Sequence, residues 1–392
     1  MNAINRLLLH ISLATGAGPQ MTFGILQRLF RERHPGLMEI NWDDLVAHVD
    51  DIPFERVYDY TLSDFLAISR VGEERATAVY TTLQDHTLLA KELELIEQHG
   101  ATVITPFDAA YPAQLRNIYA PPPVLYCKGN LDFAHDFLFA IVGARKATAY
   151  AQRAVDYLVP QLVGREWTIV SGGAEGADAM AHRATLAAGG KTIAVLGSGL
   201  LRPYPSFHEQ LYEKIVAAGG TLITPFPMTF GPDRPNFPAR NRIIAGLSAG
   251  CLVLQAAVRS GALITAEFAL EQGRHVFAVP GIFDDELSVG CHKLIKQGAV
   301  LIQSATDIFE EFGQKPSDEE IKMVPARLLK PEVNGQLLFD SPILAHLDTA
   351  STLDELLEKT KLGADELQEQ LFVLQLEGRV RQNFAGTWQR IG

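Results

Sequence analysis

The fold of this chain is decided by the stretch Leu138-Phe139-Ala140-Ile141-Val142-Gly143-Ala144-Arg145 and by the similar stretch Thr168-Ile169-Val170-Ser171-Gly172-Gly173. In both, a short and continuously apolar run ends in small residues. Continuous rather than alternating hydrophobicity predicts a strand that is covered on both faces, as in parallel sheets flanked by helices. The small residues that follow predict a tight turn from each strand into a helix.

The same pattern recurs through the middle of the chain. Further valine- and isoleucine-rich runs alternate with alanine-rich stretches of helical periodicity, and they cover residues 192–196, 221–223, 251–255, 275–279 and 300–302. Strands that alternate with helices build an α/β domain with a parallel sheet. The sequence therefore predicts a Rossmann-like, doubly wound parallel sheet.

Changes of pattern along the chain predict four regions. Helical spacing of apolar residues up to about residue 99 predicts an all-helical N-terminal domain over 1–99. Prolines punctuate a linking segment that leads into an extended Rossmann-like domain over 100–313. A charged, proline-containing stretch then predicts a linker over 314–334. The last region, 335–392, shows three helical runs and a hairpin, which is a winged-helix pattern.

Neither terminal region carries an obvious basic surface. The run from Leu62 to Ala76 resembles a helix-hairpin-helix turn, but Glu73 and Glu74 stand where DNA phosphates would approach, which favours a packing module. The third helical run of the C-terminal region has four acidic residues and no lysine or arginine; the acidic residues are Asp365, Glu366, Glu369 and Glu377. We expect this helix to contact protein rather than a DNA groove.

Composition limits the partners. The net charge of −12 means that any polyanion must meet a local basic patch. Cys127, Cys251 and Cys291 are widely spaced and form no CxxC pair, which argues against a zinc site and against a disulfide framework. No apolar run approaches membrane-spanning length. We expect a soluble, cytoplasmic protein that contacts no membrane and has no metal and no cofactor.

The candidate binding site lies where the strands end. Ligands of doubly wound folds bind beyond the carboxyl ends of the strands, where glycines let the backbone approach and helix N-termini attract anions. Arginine adds bidentate donors for phosphate oxygens. Small residues and arginines at these turns form the predicted anion site, which comprises Arg145, Ser171, Gly172, Gly173, Gly176, Arg240, Asn241, Arg242, Arg259, Ser260 and Gly261.

Signals for nucleotide enzymes are weak or absent. No GxxxxGK[ST] occurs, and residues 197–202 lack the last glycine of GxGxxG, so neither a Walker-type ATPase nor NAD is predicted. Asp178 and His182 stand four residues apart on one predicted helix face, which suits a catalytic pair. We instead expect Asp178 to tether the preceding turn and His182 to pack nearby. Tyr204 suits either base stacking or a fixed loop, and both interpretations stay open.

An ordered set of motifs resembles the DprA family, also called Smf or DNA-processing protein A. The resemblance runs from about Leu138 to Phe312 and is most specific in the arginine-bearing stretch 237–248 followed by Arg259-Ser260-Gly261-Ala262-Leu263-Ile264-Thr265. It continues through Val276-Phe277-Ala278-Val279-Pro280-Gly281 and Gly290-Cys291. The family's binding pocket maps onto the predicted anion site.

The resemblance implies a function and partners. Members of this family are cytoplasmic bacterial proteins that bind single-stranded DNA, protect incoming DNA during natural transformation and help to load the recombinase RecA onto it. They are not known as enzymes, and they form homodimers through the Rossmann domain. The family often carries a sterile-alpha-motif-like domain at the N-terminus.

The chain departs from the family pattern at three positions. Glu175 replaces a basic residue in the turn after Ser171, and Ser206 stands where a basic residue sometimes follows the Tyr-Pro pair. Both changes weaken the attraction for phosphate and leave the arginines as its main source. Gln255 occupies a position that is often acidic in the family.

A second function class remains open on the sequence alone. A nucleotide-processing enzyme, such as a nucleoside-monophosphate phosphoribohydrolase, is built on a similar Rossmann-like core. Such enzymes use a proline-glycine-glycine loop followed by glycine, threonine and a catalytic glutamate, and Pro280-Gly281-Ile282 does not continue in that way. Glu267 is the residue whose replacement would test this alternative.

Overall fold

The computed structural model describes residues 1–36, 39–68, 72–314, 343, 346–347, 351–360, 362–376, 380–383 and 387–390. The chain forms two compact units, Met1–Val324 and Pro325–Gly392. Among the described residues, no helix combines the length and the apolar character needed to cross a membrane.

A single sheet organises the first unit. Within the described residues it has nine strands in the order β1-β2-β6-β5-β4-β3-β7-β8-β9. Strands β3 to β9 pair in parallel, whereas β2 is antiparallel to β6 and β1 is antiparallel to β2. The strands are β1 (Thr102–Ile104), β2 (Leu125–Gly129), β3 (Leu138–Val142), β4 (Thr168–Ser171), β5 (Thr192–Val195), β6 (Thr221–Thr224), β7 (Gly250–Val253), β8 (His275–Ala278) and β9 (Val300–Leu301).

The doubly wound α/β fold predicted from the sequence is confirmed, with one addition. Strands β1 and β2 lie in the segment that proline content identified only as a link. The prolines stand outside both strands, and the two strands extend one edge of the sheet in antiparallel pairing. Strand β1 has three residues and β2 has five, which is too short for a clear periodicity signal, and this explains why the sequence did not reveal them.

Helices cover both faces of the sheet and form the N-terminal region. They are α1 (Ala3–Ser12), α2 (Pro19–Arg33), α3 (Trp42–Ala47), α4 (Leu62–Leu66), α5 (Glu73–Gln84), α6 (His86–Gln98), α7 (Ala113–Arg116), α8 (Ala149–Gly164), α9 (Ala177–Ala187), α10 (Glu209–Ala217), α11 (Asn236–Leu247), α12 (Gly261–Glu271), α13 (Val289–Lys296) and α14 (Ala305–Glu311). Short 3-10 helices span Val49–Asp51, Phe54–Asp59, Asp132–His135 and Ser206–His208.

The N-terminal helices share a core with the sheet. Leu8 and Leu26 belong to the same apolar cluster as Tyr126, Leu196 and Leu222 of the β2-β6-β5 end. Apolar residues keep helical spacing from residue 76 to residue 95, yet this stretch forms two helices, because Asp85 ends α5 and its Oδ1 accepts a hydrogen bond from Thr87 N at 3.0 Å. The boundary at residue 99 stays a prediction.

The strand order creates a crevice at the carboxyl end of the sheet. The chain runs outward from β3 through β4 and β5 to β6, and then crosses back to place β7 on the other side of β3. Turns that follow β3 and β7 therefore leave the sheet in divergent directions, which is where ligands of such folds bind.

The second unit is small. Its described part contains the helices Leu353–Thr360 and Ala364–Leu376 and the antiparallel pair β10 (Val380–Gln382) and β11 (Trp388–Arg390). Leu356, Leu367, Leu371 and Val380 form its core. The predicted linker over 314–334 lies outside the described residues except for Gln314. The side chains of the acidic positions in the last helix also lie outside them.

Candidate functional site

A cleft lies beyond the carboxyl ends of β3, β4 and β5. It encloses about 370 Å³ of space open to solvent, and its lining combines charged and aromatic side chains with the turn that follows β4. The lining residues are Arg145, Ala174, Glu175, Tyr204, Pro205, Phe207, Phe237 and Arg240. Arg145 and Arg240 come from the residues that the sequence predicted.

Buried hydrogen bonds build the turn from β4 into α9. The Ser171 hydroxyl donates to the carbonyl of Ile141 at 2.6 Å, which joins the turn to β3. One carboxylate oxygen of Asp178 accepts from the backbone N–H groups of Gly172 at 3.2 Å and Ala174 at 3.3 Å. The expectation that Asp178 tethers this turn is confirmed. Burial raises the pKa of its carboxyl group, against the charge of Arg240 and the two N–H donors.

Arg240 supports the turn from below. Only 5% of this residue is exposed. Its Nη1 donates to the carbonyl of Gly172 and to that of Val195, at 2.6 Å for the latter. A side chain at position 172 would overlap this guanidinium, so glycine is required there. The sequence predicted Arg240 as part of the anion site at these turns; in the structure its side chain is buried under the turn, at the carboxyl ends of β4 and β5.

Gly176 brings the turn against the neighbouring loop. Its φ is +80°, and a Cβ at this position would overlap the carbonyl oxygens of Ala144 and Arg145. The first helical N–H, that of Ala177, donates to Ala144 O at 3.2 Å. The backbone N–H groups of Glu175 and Gly176 have no hydrogen-bond partner among the described residues. These groups are available to an anion at the start of α9.

His182 has a structural position one helical turn further along α9. It is fully buried, and its Nδ1 lies 2.7 Å from the hydroxyl of Thr192. That hydroxyl donates to Ile169 O at 2.7 Å, so it accepts from His182, which carries the proton on Nδ1. Burial lowers the pKa of His182 to about 3. The expectation that His182 packs beneath the turn is confirmed.

Aromatic side chains form the opposite wall of the cleft. The Arg145 guanidinium lies 5.5 Å from the centre of the Phe237 ring, and the Tyr204 ring lies 5.8 Å from Phe237. Tyr204 is 43% exposed and Phe207 is 68% exposed. Sequence reasoning missed Phe207, although its position two residues after Pro205 was a usable signal. The wall offers exposed ring faces next to one exposed cation.

A second turn lies between β7 and α12. The Ser260 hydroxyl accepts from the N–H of Ala262 at 3.3 Å and caps α12, while the Asn241 amide donates to Gly261 O at 3.3 Å. Arg259 is exposed beside them. None of these residues lines the cleft at Arg145. The predicted site is therefore divided between two turns.

Arg242 belongs to neither turn. Two residues along a helix correspond to about 200° around its axis, so Arg240 and Arg242 leave α11 on opposite sides. Arg242 Nη1 donates to the carbonyl of Tyr119 at 2.8 Å and thereby holds the segment after α7. This corrects the prediction that Arg242 belongs to the same anion site as Arg240.

Gln255 joins the loops that frame the crevice. Its carbonyl accepts from Ala144 N at 2.8 Å, and its side-chain oxygen accepts from Thr148 N at 2.9 Å. An oxygen acceptor at this position thus fixes the entry into α8. This contact explains a residue for which the sequence offered no account.

Metal ligands do not cluster in the part of the chain that the structure describes. No group of three or more histidine, cysteine or acidic side chains there is placed to hold an ion. The three cysteines are buried and unpaired, and burial raises the pKa of Cys251 and of Cys291 to about 12. The absence of a cofactor stays a prediction.

Comparison with known proteins adds family evidence. Residues 102–313 match the model of the family described as DNA recombination-mediator protein A, and residues 340–383 match the DprA winged helix domain. The chain is 38% identical over 288 residues to Protein Smf of Escherichia coli, covering 72% of this chain and 76% of that protein. It is 42% identical over 233 residues to DNA processing protein DprA of Bacillus subtilis, covering 59% and 78%.

A solved structure agrees with the sequence relatives. The X-ray structure of DNA processing protein A from Streptococcus pneumoniae superposes with a TM-score of 0.65 and 34% identity, covering 79% of this chain and 99% of that one. The match extends well beyond a shared nucleotide-binding core.

Proposed function

Because the chain belongs to the DNA recombination-mediator protein A family, we propose that it binds single-stranded DNA in the Arg145 cleft, protects incoming DNA and loads RecA onto it during natural transformation. Family membership makes the chain a DNA-processing recombination mediator. The identity of the contacting residues and the loading of RecA are parts of the proposal.

One observation carries the choice of ligand: the exposed Arg145 stands against the aromatic wall, beside backbone N–H groups that have no hydrogen-bond partner within the described part of the chain. Arginine and helix N-termini bind phosphates, and aromatic faces stack on bases irrespective of their identity. Bases are accessible in this way only in a single strand. The combination supports single-stranded rather than double-stranded DNA.

We further propose that the protein acts by binding and not by catalysis. Asp178 and His182, the acid and base that stand four residues apart, are both buried and hydrogen-bonded under the turn. Glu267, the residue relevant to a phosphoribohydrolase, lies exposed on α12 outside the cleft lining. An assay for base release from nucleoside monophosphates is expected to give no turnover; turnover that is lost in Glu267→Ala would support the enzyme instead.

We also propose that the protein acts in the cytoplasm and that it forms a homodimer. The loops after β7 and β8 expose Val258, Ile282 and Phe283 near Val289, and the hydrogen bond from Gly290 N to Ala256 O joins these loops. An exposed apolar patch of this kind supports self-association. Light scattering is expected to give the mass of a dimer at micromolar concentration, and a monomer would contradict this part.

The ligand is tested by gel shift on matched oligonucleotides. The full chain is titrated against one sequence as a single strand and as a duplex, over a series of salt concentrations. We expect tighter binding of the single strand, and we expect the logarithm of the affinity to fall linearly with the logarithm of the salt concentration. Equal or tighter binding of the duplex would contradict the proposed function.

A further inference from the structure

The acidic residue of the cleft needs a separate explanation. Glu175 is exposed in the cleft lining, and its side chain makes no hydrogen bond or ion pair with another described residue. Arg145, on the same lining, also forms no ion pair among the described residues. A free carboxylate repels phosphate, so Glu175 opposes the contacts with DNA phosphates that Arg145 favours.

A carboxylate beside aromatic rings is suited to another part of a nucleotide. Tyr204, Phe207 and Phe237 supply ring faces on which a base can stack. The Watson–Crick edge of a base held there is available for hydrogen bonds. Two carboxylate oxygens accept bonds from two adjacent donors, and an arginine nearby donates to an acceptor on the same base.

Guanine meets both requirements. Its edge carries N1–H and the N2 amino group side by side, which match the two oxygens of a carboxylate, and O6 is an acceptor for arginine. Thymine has a single N3–H between two carbonyl oxygens, and these oxygens repel a carboxylate. A cleft lined by both Glu175 and Arg145 thus distinguishes these two bases by their pattern of hydrogen-bond donors and acceptors.

We propose that Glu175 makes the cleft a base-reading pocket that prefers guanine to thymine. The proposal rests on the proposed function, since it requires a single strand in the cleft. In this proposal Glu175 does more than weaken the attraction for phosphate, because it determines which base the cleft prefers. The aromatic wall supplies affinity for any base, and the carboxylate selects among bases.

The test uses fluorescence anisotropy on the full chain at fixed salt. Three oligonucleotides are compared: thymidine only, the same strand with isolated guanosines, and that strand with inosine in place of guanosine. We expect the guanosine strand to bind about tenfold more tightly than the thymidine strand. Inosine lacks the N2 amino group, so its strand is expected to bind with intermediate affinity.

Two variants test whether Glu175 causes the preference for guanine. Glu175→Ala, at an exposed position, is expected to bring the ratio of the two affinities close to one, because the guanosine strand loses its carboxylate acceptor while the thymidine strand is no longer repelled and binds more tightly. Glu97→Ala removes an exposed glutamate of α6 that is not part of the cleft lining, and it is expected to keep the full preference.

The outcomes separate this proposal from the proposed function. Equal affinity of the wild-type chain for all three strands overturns the base-reading pocket and leaves single-strand binding intact. A guanine preference that persists in Glu175→Ala also overturns it, because another group then reads the base. Failure to bind any of the strands overturns both proposals.

Discussion

The two strand-to-helix turns of the predicted site share the same residue types but differ in construction. The turn from β4 into α9 rests on buried bonds from Ser171, Asp178 and Arg240. At the start of α12, by contrast, the side-chain bonds come from the cap of Ser260 and from Asn241 and Thr265, and they are partly buried or exposed. Only the first turn lines the cleft. Glycine, serine and arginine after a strand therefore form an enclosed site only where distant segments supply its support and its walls.

The largest expected difference between the turns concerns their glycines. Gly176→Ala is expected to lower the free energy of unfolding by about 3 kcal/mol, because its φ of +80° is strained for alanine and a Cβ overlaps two carbonyl oxygens. Gly261→Ala, with open space around it and an ordinary φ, is expected to keep or slightly raise stability. Urea unfolding of both variants measures this, and equal effects would contradict the contrast.

The arginines provide the second contrast. Arg240→Ala leaves the carbonyls of Gly172 and Val195 without their buried donor, so we expect a loss of about 3 kcal/mol in the free energy of unfolding. Arg259→Ala, at an exposed position, is expected to change it by less than about 0.5 kcal/mol. If Arg240→Ala kept full stability and lost only DNA affinity, Arg240 would be a direct phosphate ligand.

A smaller effect is expected from pH. The folded chain holds His182 neutral, with a pKa of about 3, while in the unfolded chain it protonates near 6.5. The unfolded state thus binds the extra proton, and this group's contribution to stability is lost as pH falls below 6.5. Between pH 8 and pH 5 the loss amounts to about 2 kcal/mol.

Denaturant unfolding at several pH values measures this contribution. The pH dependence is expected to become flatter by that amount in His182→Leu and to stay unchanged in His99→Leu, which alters an exposed histidine. A wild-type slope retained in His182→Leu would show that another group carries the pH dependence. This pH dependence would distinguish the turn from β4 into α9, which has the buried His182 beneath it, from the turn from β7 into α12, whose described residues include no buried histidine.

Much of the fold was predictable because its signals are local. The apolar runs that became β3 to β9 are continuous in sequence, and the small residues after Val142 and Ser171 mark their turns. The family was also identified correctly from its motifs. By contrast, β1 and β2 depend on pairing with the edge of the sheet, which short strands do not reveal in sequence.

The site was less predictable because its geometry depends on how a helix is rotated about its own axis when it packs. Arg240 and Arg242 look equivalent in sequence, yet one is buried under the turn and the other binds Tyr119 O. Their difference follows from the rotation of α11, which only packing determines. Phe207 became part of the wall because the loop after β5 packs against the turn before α9, where His208 Nδ1 lies 2.9 Å from Gly173 O, a contact between distant segments.

The most direct test compares Arg145→Ala with Arg259→Ala in binding to single-stranded DNA over a series of salt concentrations. Both arginines are exposed, and only Arg145 lines the cleft. We expect Arg145→Ala to weaken binding about tenfold and to reduce the salt slope by about 0.7, as for one lost phosphate contact, with a loss of less than about threefold for Arg259→Ala. Unchanged affinity in Arg145→Ala, or a larger loss in Arg259→Ala, would contradict the assignment of the cleft as the DNA site.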